Sequence, residues 1–80
     1  MIASLDSLSK VVYIQLEARK RVYKTVEFGE WTVLELDQNN QLLAIEMIKP
    51  SRVVLKRIAE KYERAELARI DLKSLQNSIN

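Results

Sequence analysis

The side chains of this sequence able to do chemistry are carboxylates, lysines and tyrosines. It holds no histidine, no cysteine and one glycine. Without His or Cys there is no zinc site of the usual types, no Ser-His-Asp or Cys-His nucleophile, and no haem ligation by those residues. One glycine cannot build the phosphate-cradling loops of nucleotide-binding folds. Glu17, Glu35 and Glu46 remain, at positions that would share one face of a sheet. A carboxylate pair there could exchange a proton or hold Mg²⁺. The same pattern describes solvated charges that keep a sheet soluble. Glu46 stands out, because it sits mid-strand in the apolar run 42–48 and calls for water or a cation from a neighbouring strand or subunit. No catalytic residue, cofactor or metal ligand is assigned, and the chain is expected not to be an enzyme.

Two basic groups form the other chemical feature. Arg19, Lys20 and Arg21, with Lys24 nearby, make a positive connection between two strands. Lys49, Arg52, Lys56 and Arg57 surround an expected helix start, the less favoured end for cations, where they could hold an anion. Neither group comes with the aromatic platform of an RNA-binding sheet. Nucleic-acid binding through Arg19, Lys20, Arg21, Lys24, Arg52 and Lys56 is therefore the alternative reading, not the first.

The elements that must position these residues change character at Pro50-Ser51. Before it, β-branched and aromatic residues alternate with polar ones at period two; after it, straight-chain residues dominate at helical spacing. Strands are expected over 11–17, 22–28, 31–37 and 41–48, with a short lead-in at 2–5. The first would face inward through Val12, Ile14 and Leu16, and the last through Leu43, Ile45 and Met47. The connections 18–21, 29–30 and 38–40 are too short for parallel crossovers, so the expected sheet is an antiparallel meander. Asn40 is the natural left-handed position in its turn.

Ser51 is a favoured N-cap, and Leu55, Ile58, Tyr62 and Ala65 form one apolar stripe. Glu60 and Arg64 are spaced as an i,i+4 ion pair. A second stripe, Ala68, Leu72, Leu75 and Ile79, follows with a phase shift. Asp71 could cap a separate short helix, or the first helix could continue with a kink. The fold class is α+β: four to five antiparallel strands (1–49), then one or two helices (51–80), in a single domain over 1–80.

Composition supports a globular chain. Hydrophobic residues make up 48% and charged residues 30%, which separates it from disordered sequences. The net charge of +2 is unevenly spread: residues 1–50 carry six Lys/Arg against seven Asp/Glu, and residues 51–80 carry seven against four. No cysteine, no long apolar run and no secretory leader in the first ten residues lead to an expected cytoplasmic location with no membrane contact.

Residues 2–51 carry a pattern of their own. It runs from Asp6 to Val12-Tyr13-Ile14 and Leu16, through Thr25, to Leu36-Asp37, Leu42-Leu43-Ala44-Ile45-Glu46-Met47 and Ser51. The pattern resembles the small family catalogued as domain of unknown function 2283, in which an Asp-containing turn leads into a Tyr-Ile strand and an Asp turn precedes an Ile-Glu strand. Here Leu5, Lys10, Asn40 and Ala44 replace that family's usual Tyr, second Asp, turn Gly and strand Gly. The resemblance implies a meander sheet and a prokaryotic or phage-like origin. Some members of that family resemble components of small two-gene modules of the toxin–antitoxin kind, which would make this chain a protein-binding partner.

A chain of 80 residues buries little core on its own and often gains more by association. About half of the expected outer-face positions are apolar, more than a sheet with one wet face needs. The expected function is thus a non-enzymatic protein-interaction or homodimeric module. Trp31, Val33, Leu42 and Glu46 on the sheet, and Leu72, Leu75 and Ile79 on the tail, are the interaction candidates.

Overall fold

A computed structural model describes residues 1–6, 8–29 and 31–77. Ser7 and Glu30, expected in turns, and Ile79, expected on the tail stripe, lie outside the described residues. Five strands form, β1 (Ile2–Leu5), β2 (Val12–Gln15), β3 (Lys24–Glu27), β4 (Thr32–Leu36) and β5 (Leu42–Met47). They are followed by α1 (Arg52–Lys61), a 3-10 turn (Ala65–Arg69) and α2 (Leu72–Asn77). This is the α+β arrangement that the change of period at Pro50 predicts.

All pairings in the sheet are antiparallel, and the strand order is β1-β2-β5-β4-β3. The run β3-β4-β5 is a meander and β1-β2 a hairpin. The departure from sequential order is that β5 inserts beside β2, giving a Greek-key arrangement. Its cause is the link between β2 and β3, which is longer than the expected 18–21. Residues 16–23 all lie outside strands and carry the chain along the end of the sheet.

Local chemistry explains the turns. Asp37 Oδ1 accepts from the backbone N–H of Asn39 (2.8 Å) and Gln41 (2.9 Å), and Asn40 takes the left-handed conformation at φ 61°. Asp6 Oδ1 accepts from the N–H of Leu8 (2.9 Å), with Lys10 left-handed at φ 63°. The hydrogen bond from Leu8 and contact with Ser9 hold the Asp6 carboxyl below the ordinary carboxylate range. Ser51 caps α1, its Oγ accepting from the N–H of Val54 (3.3 Å).

Helix α1 stops at Lys61, although its apolar stripe continues to Ala65. Glu63 turns left-handed (φ 55°) and the Arg64 N–H donates to Ala59 O at 2.9 Å, closing a Schellman motif. The helical Glu60–Arg64 pair therefore does not form. Arg64 instead meets Glu66 and, at 3.6 Å, Glu17. The reversal brings Leu67 into the core, while Ala65 and Ala68 stay exposed.

One face of the sheet is covered. Val12, Ile14, Leu16, Leu34, Leu36, Leu42, Ile45 and Met47 form a single cluster with Leu55, Ile58, Ala59, Leu67 and Leu72. Leu42 corrects the expected phase of β5. A bulge at Leu43 pairs Leu42 with Leu36 and Ala44 with Glu35, so Leu42 joins Ile45 and Met47 in the cluster beneath the helices, while Leu43 is buried as expected but outside that cluster. The tail folds back rather than projecting. Leu72 is buried in the cluster, Leu75 packs partly buried against it, and α2 lies against β1. Asp71 Oδ1 accepts from the N–H of Ser74 (3.1 Å), so α2 is a separate, capped helix.

Candidate interaction face

Helices cover one side of the sheet; the other side is open. Register assigns its residues, because paired residues of antiparallel strands share a face. One row across the strands reads Ser4, Tyr13, Glu46, Val33, Glu27. The next reads Ile2, Gln15, Ala44, Glu35, Thr25. Trp31 and Ile48 flank the first row at the ends of β4 and β5, joined by the bond from the Ile48 N–H to Trp31 O (2.8 Å).

Two features organise this surface. The Tyr13 hydroxyl donates to Glu35 Oε2 at 3.0 Å. Those residues stand on β2 and β4, so the phenol must span β5, and the small Ala44 side chain leaves room for it. Ala44 is 1% exposed as a result. Burial, then the hydrogen bond to Glu35, then the charges of Glu35 and Glu46, push the Tyr13 hydroxyl above its ordinary pKa of 10.0.

The second feature is Trp31, 50% exposed, with a left-handed backbone (φ 63°) and the Lys49 ammonium 4.5 Å from its ring centroid. A groove of about 500 Å³ runs beside it, between Glu27, Val33 and Ile48. A second of about 460 Å³ lies across Glu46, between Tyr13 and Asp6.

The paired rows of this face are acidic, and Lys49 stands at their edge over Trp31. The ten paired positions include Glu27, Glu35 and Glu46 and no lysine or arginine. Among the described residues, ion pairs join only Arg64 with Glu17 and Glu66, so these three carboxylates have none. Glu46, expected to meet water or a cation, is exposed. Glu17 stands away from Glu35 and Glu46, beside Arg64, so the expected carboxylate trio is not assembled.

Among the interaction candidates, Trp31, Val33 and Glu46 come together on the open face. Leu42 and Leu72 are core residues, and Leu75 is partly buried against the core. The basic residues separate. Arg19, Lys20 and Arg21 are exposed in the link 16–23, where Lys20 and Arg21 line an open groove of about 750 Å³ with Tyr23, Asn39 and Gln41. Lys24 pairs with Leu36 at the edge strand. Arg52 and Lys56 border a small recess of about 30 Å³ between α1 and the 3-10 turn.

The sequence placed Glu35 on a shared sheet face with Glu46 but did not foretell the Tyr13–Glu35 bond. The bond is set by the register across β5, where Ala44 pairs with both Gln15 and Glu35. No metal-type cluster of acidic residues occurs among the described residues, and none of their helices is long and apolar enough to cross a membrane. No family model, curated protein or solved structure matches the chain, so the resemblance of residues 2–51 rests on the residues quoted for it.

Proposed function

We propose that this protein is a non-enzymatic interaction module that docks a protein partner on the open face of its sheet. The observation that carries this reading is Trp31. A left-handed backbone costs an L-residue roughly 1–2 kcal/mol, and glycine or asparagine escapes most of that cost. Lys10, Asn40 and Glu63 share the conformation at turns or a helix end, as Trp31 does in the β3–β4 turn, but those three are polar. Trp31 instead presents a half-exposed indole to solvent, on a face where Val33 and Ile48 extend the apolar surface. Large aromatics of this kind are the usual anchors of protein interfaces. Strain retained at an exposed aromatic is a pointer to function rather than to folding.

Affinity capture from the native host, with wild type, Trp31→Gly and Val33→Glu compared, tests the reading. The expected result is one set of proteins held by the wild type and lost from both variants, with folding of all three verified by thermal melting. Identical capture by all three removes the open face from the function.

Nucleic-acid binding is a second reading, favoured by one observation. The groove at Lys20 and Arg21 has Tyr23, 68% exposed, on its wall, so cations and an aromatic surface meet there. Retention of generic single-stranded DNA at about 50 mM salt, lost in an Arg19→Glu/Arg21→Glu variant, would support it. No retention at that salt disposes of it.

A further inference from the structure

The size and charge of the open face narrow the class of partner, on the reading that this face is the docking surface. Five strands about 4.8 Å apart, each a few residues long at about 3.4 Å per residue, give a face of roughly 300–400 Å². It suits a single helix, whose diameter is about 10–12 Å.

The rows show where such a helix would lie. Glu46 and Glu27 both pair with Val33, one from β5 and the other from β3. They are therefore two strand spacings apart, about 10 Å. A helix along β4 would rest on Trp31 and Val33, with a carboxylate on each flank. Glu35 adds a third negative charge at the far end of the same strand.

The same charges argue against a second copy face to face. A two-fold interface brings identical patches together, so six carboxylates would meet against the two Lys49 ammonium groups that sit over the indoles. Like charges set opposite one another oppose association and favour a partner of the other sign.

We propose that the occupant of this face is a cationic amphipathic helix of a partner protein. Its apolar stripe lies along β4 on Trp31 and Val33, and its flanking Lys/Arg residues meet Glu27 and Glu46. Recognition is of the helix-in-groove kind, with anchors at i, i+3 or i+4 and i+7.

Trp31 is the only tryptophan of the chain, so its fluorescence reports on this face directly. The probes are two synthetic amphipathic helices free of aromatics, each with a leucine stripe, one flanked by lysines and the other by glutamates. Titrated into the full-length protein, the lysine-flanked helix should shift Trp31 emission to the blue and bind at least ~10-fold more tightly, a preference that weakens with salt. A Glu27→Lys/Glu46→Lys variant, with an unchanged circular dichroism spectrum, should reverse the preference.

Equal binding of both probes would overturn the cationic partner and leave the interaction reading standing. No emission change with either probe would overturn the docked helix, and with host capture also unaffected by Trp31→Gly the interaction reading falls too. Concentration-dependent self-association that blue-shifts Trp31, followed by analytical ultracentrifugation, would replace the partner with a second copy and overturn the proposal.

Discussion

The two faces of this sheet are built from alternate residues of the same strands, yet they meet opposite physical demands. On the inner face Ile14, Ile45, Leu34 and Met47 are fully buried beneath α1 and the chain that follows it. On the outer face their chain neighbours Tyr13, Glu46, Val33 and Glu35 are exposed or only partly buried. The inner face is held by apolar burial, which is cooperative and intolerant of changes in volume. Among the described residues, the outer face holds one side-chain hydrogen bond, one cation–aromatic contact and three carboxylates without ion pairs. Stability is concentrated on one side, which leaves the other able to carry residues chosen for contact with something else.

That contrast can be broken at four points. Ile45→Ala should be the most damaging, costing about 2–5 kcal/mol through a cavity at the centre of the core. Urea denaturation measures it, and a loss below 1 kcal/mol by about that scale would mean the two faces are not as unequal as they look.

Tyr13→Phe should cost about 0.5–1.5 kcal/mol, the worth of a partly buried hydrogen bond. It should also change the alkaline limb of the stability curve. The folded state holds the Tyr13 proton above pH 10.0, where the unfolded chain begins to release it. This contribution is complete below the unfolded pKa and is lost as pH rises through the folded one. The fall in stability above pH 10 should therefore be shallower in Tyr13→Phe than in the wild type, and equal slopes would contradict the assignment.

Trp31→Gly should move stability by no more than about 1 kcal/mol in either direction, since relief of the left-handed backbone offsets the lost contact with Lys49. A thermal melt showing a large loss would make Trp31 a structural residue rather than a docking one. Glu46→Lys should be the mildest, within about 0.5 kcal/mol, as expected for an exposed position with no ion pair. A clear gain from Glu46→Lys would show that repulsion with Glu35 and Glu27 already burdens the free protein. That result would strengthen the case for a cationic occupant.

Much of this could be read from the chain. Alternation placed Val12, Ile14, Leu16, Ile45 and Met47 inside, because period two follows directly from strand geometry. Asn40 and Ser51 were legible because their roles are local: a left-handed turn position and a side chain reaching an N–H three residues on. Leu42 was not legible. In a run as apolar as 42–45 the side-chain pattern fits either phase, and only the bulge against β4 selects one. Trp31, Val33 and Glu46 could be named as surface candidates, but the placing of Glu27 and Glu46 around Val33 depended on knowing which strands adjoin.

The sequence by itself determined the element types, the point where sheet gives way to helix, and the absence of histidine and cysteine chemistry. These depend on residue type and on spacings of a few residues. Tertiary structure decided that β5 lies between β2 and β4, that the tail returns to β1, and that Glu27 and Glu46 stand on either side of Val33. Those are contacts between distant parts of the chain, chosen by which packing buries the most apolar surface. No local pattern encodes that choice. The open face is thus written in the sequence residue by residue, and its acidic rows come to lie beside the indole only when the strands are placed side by side.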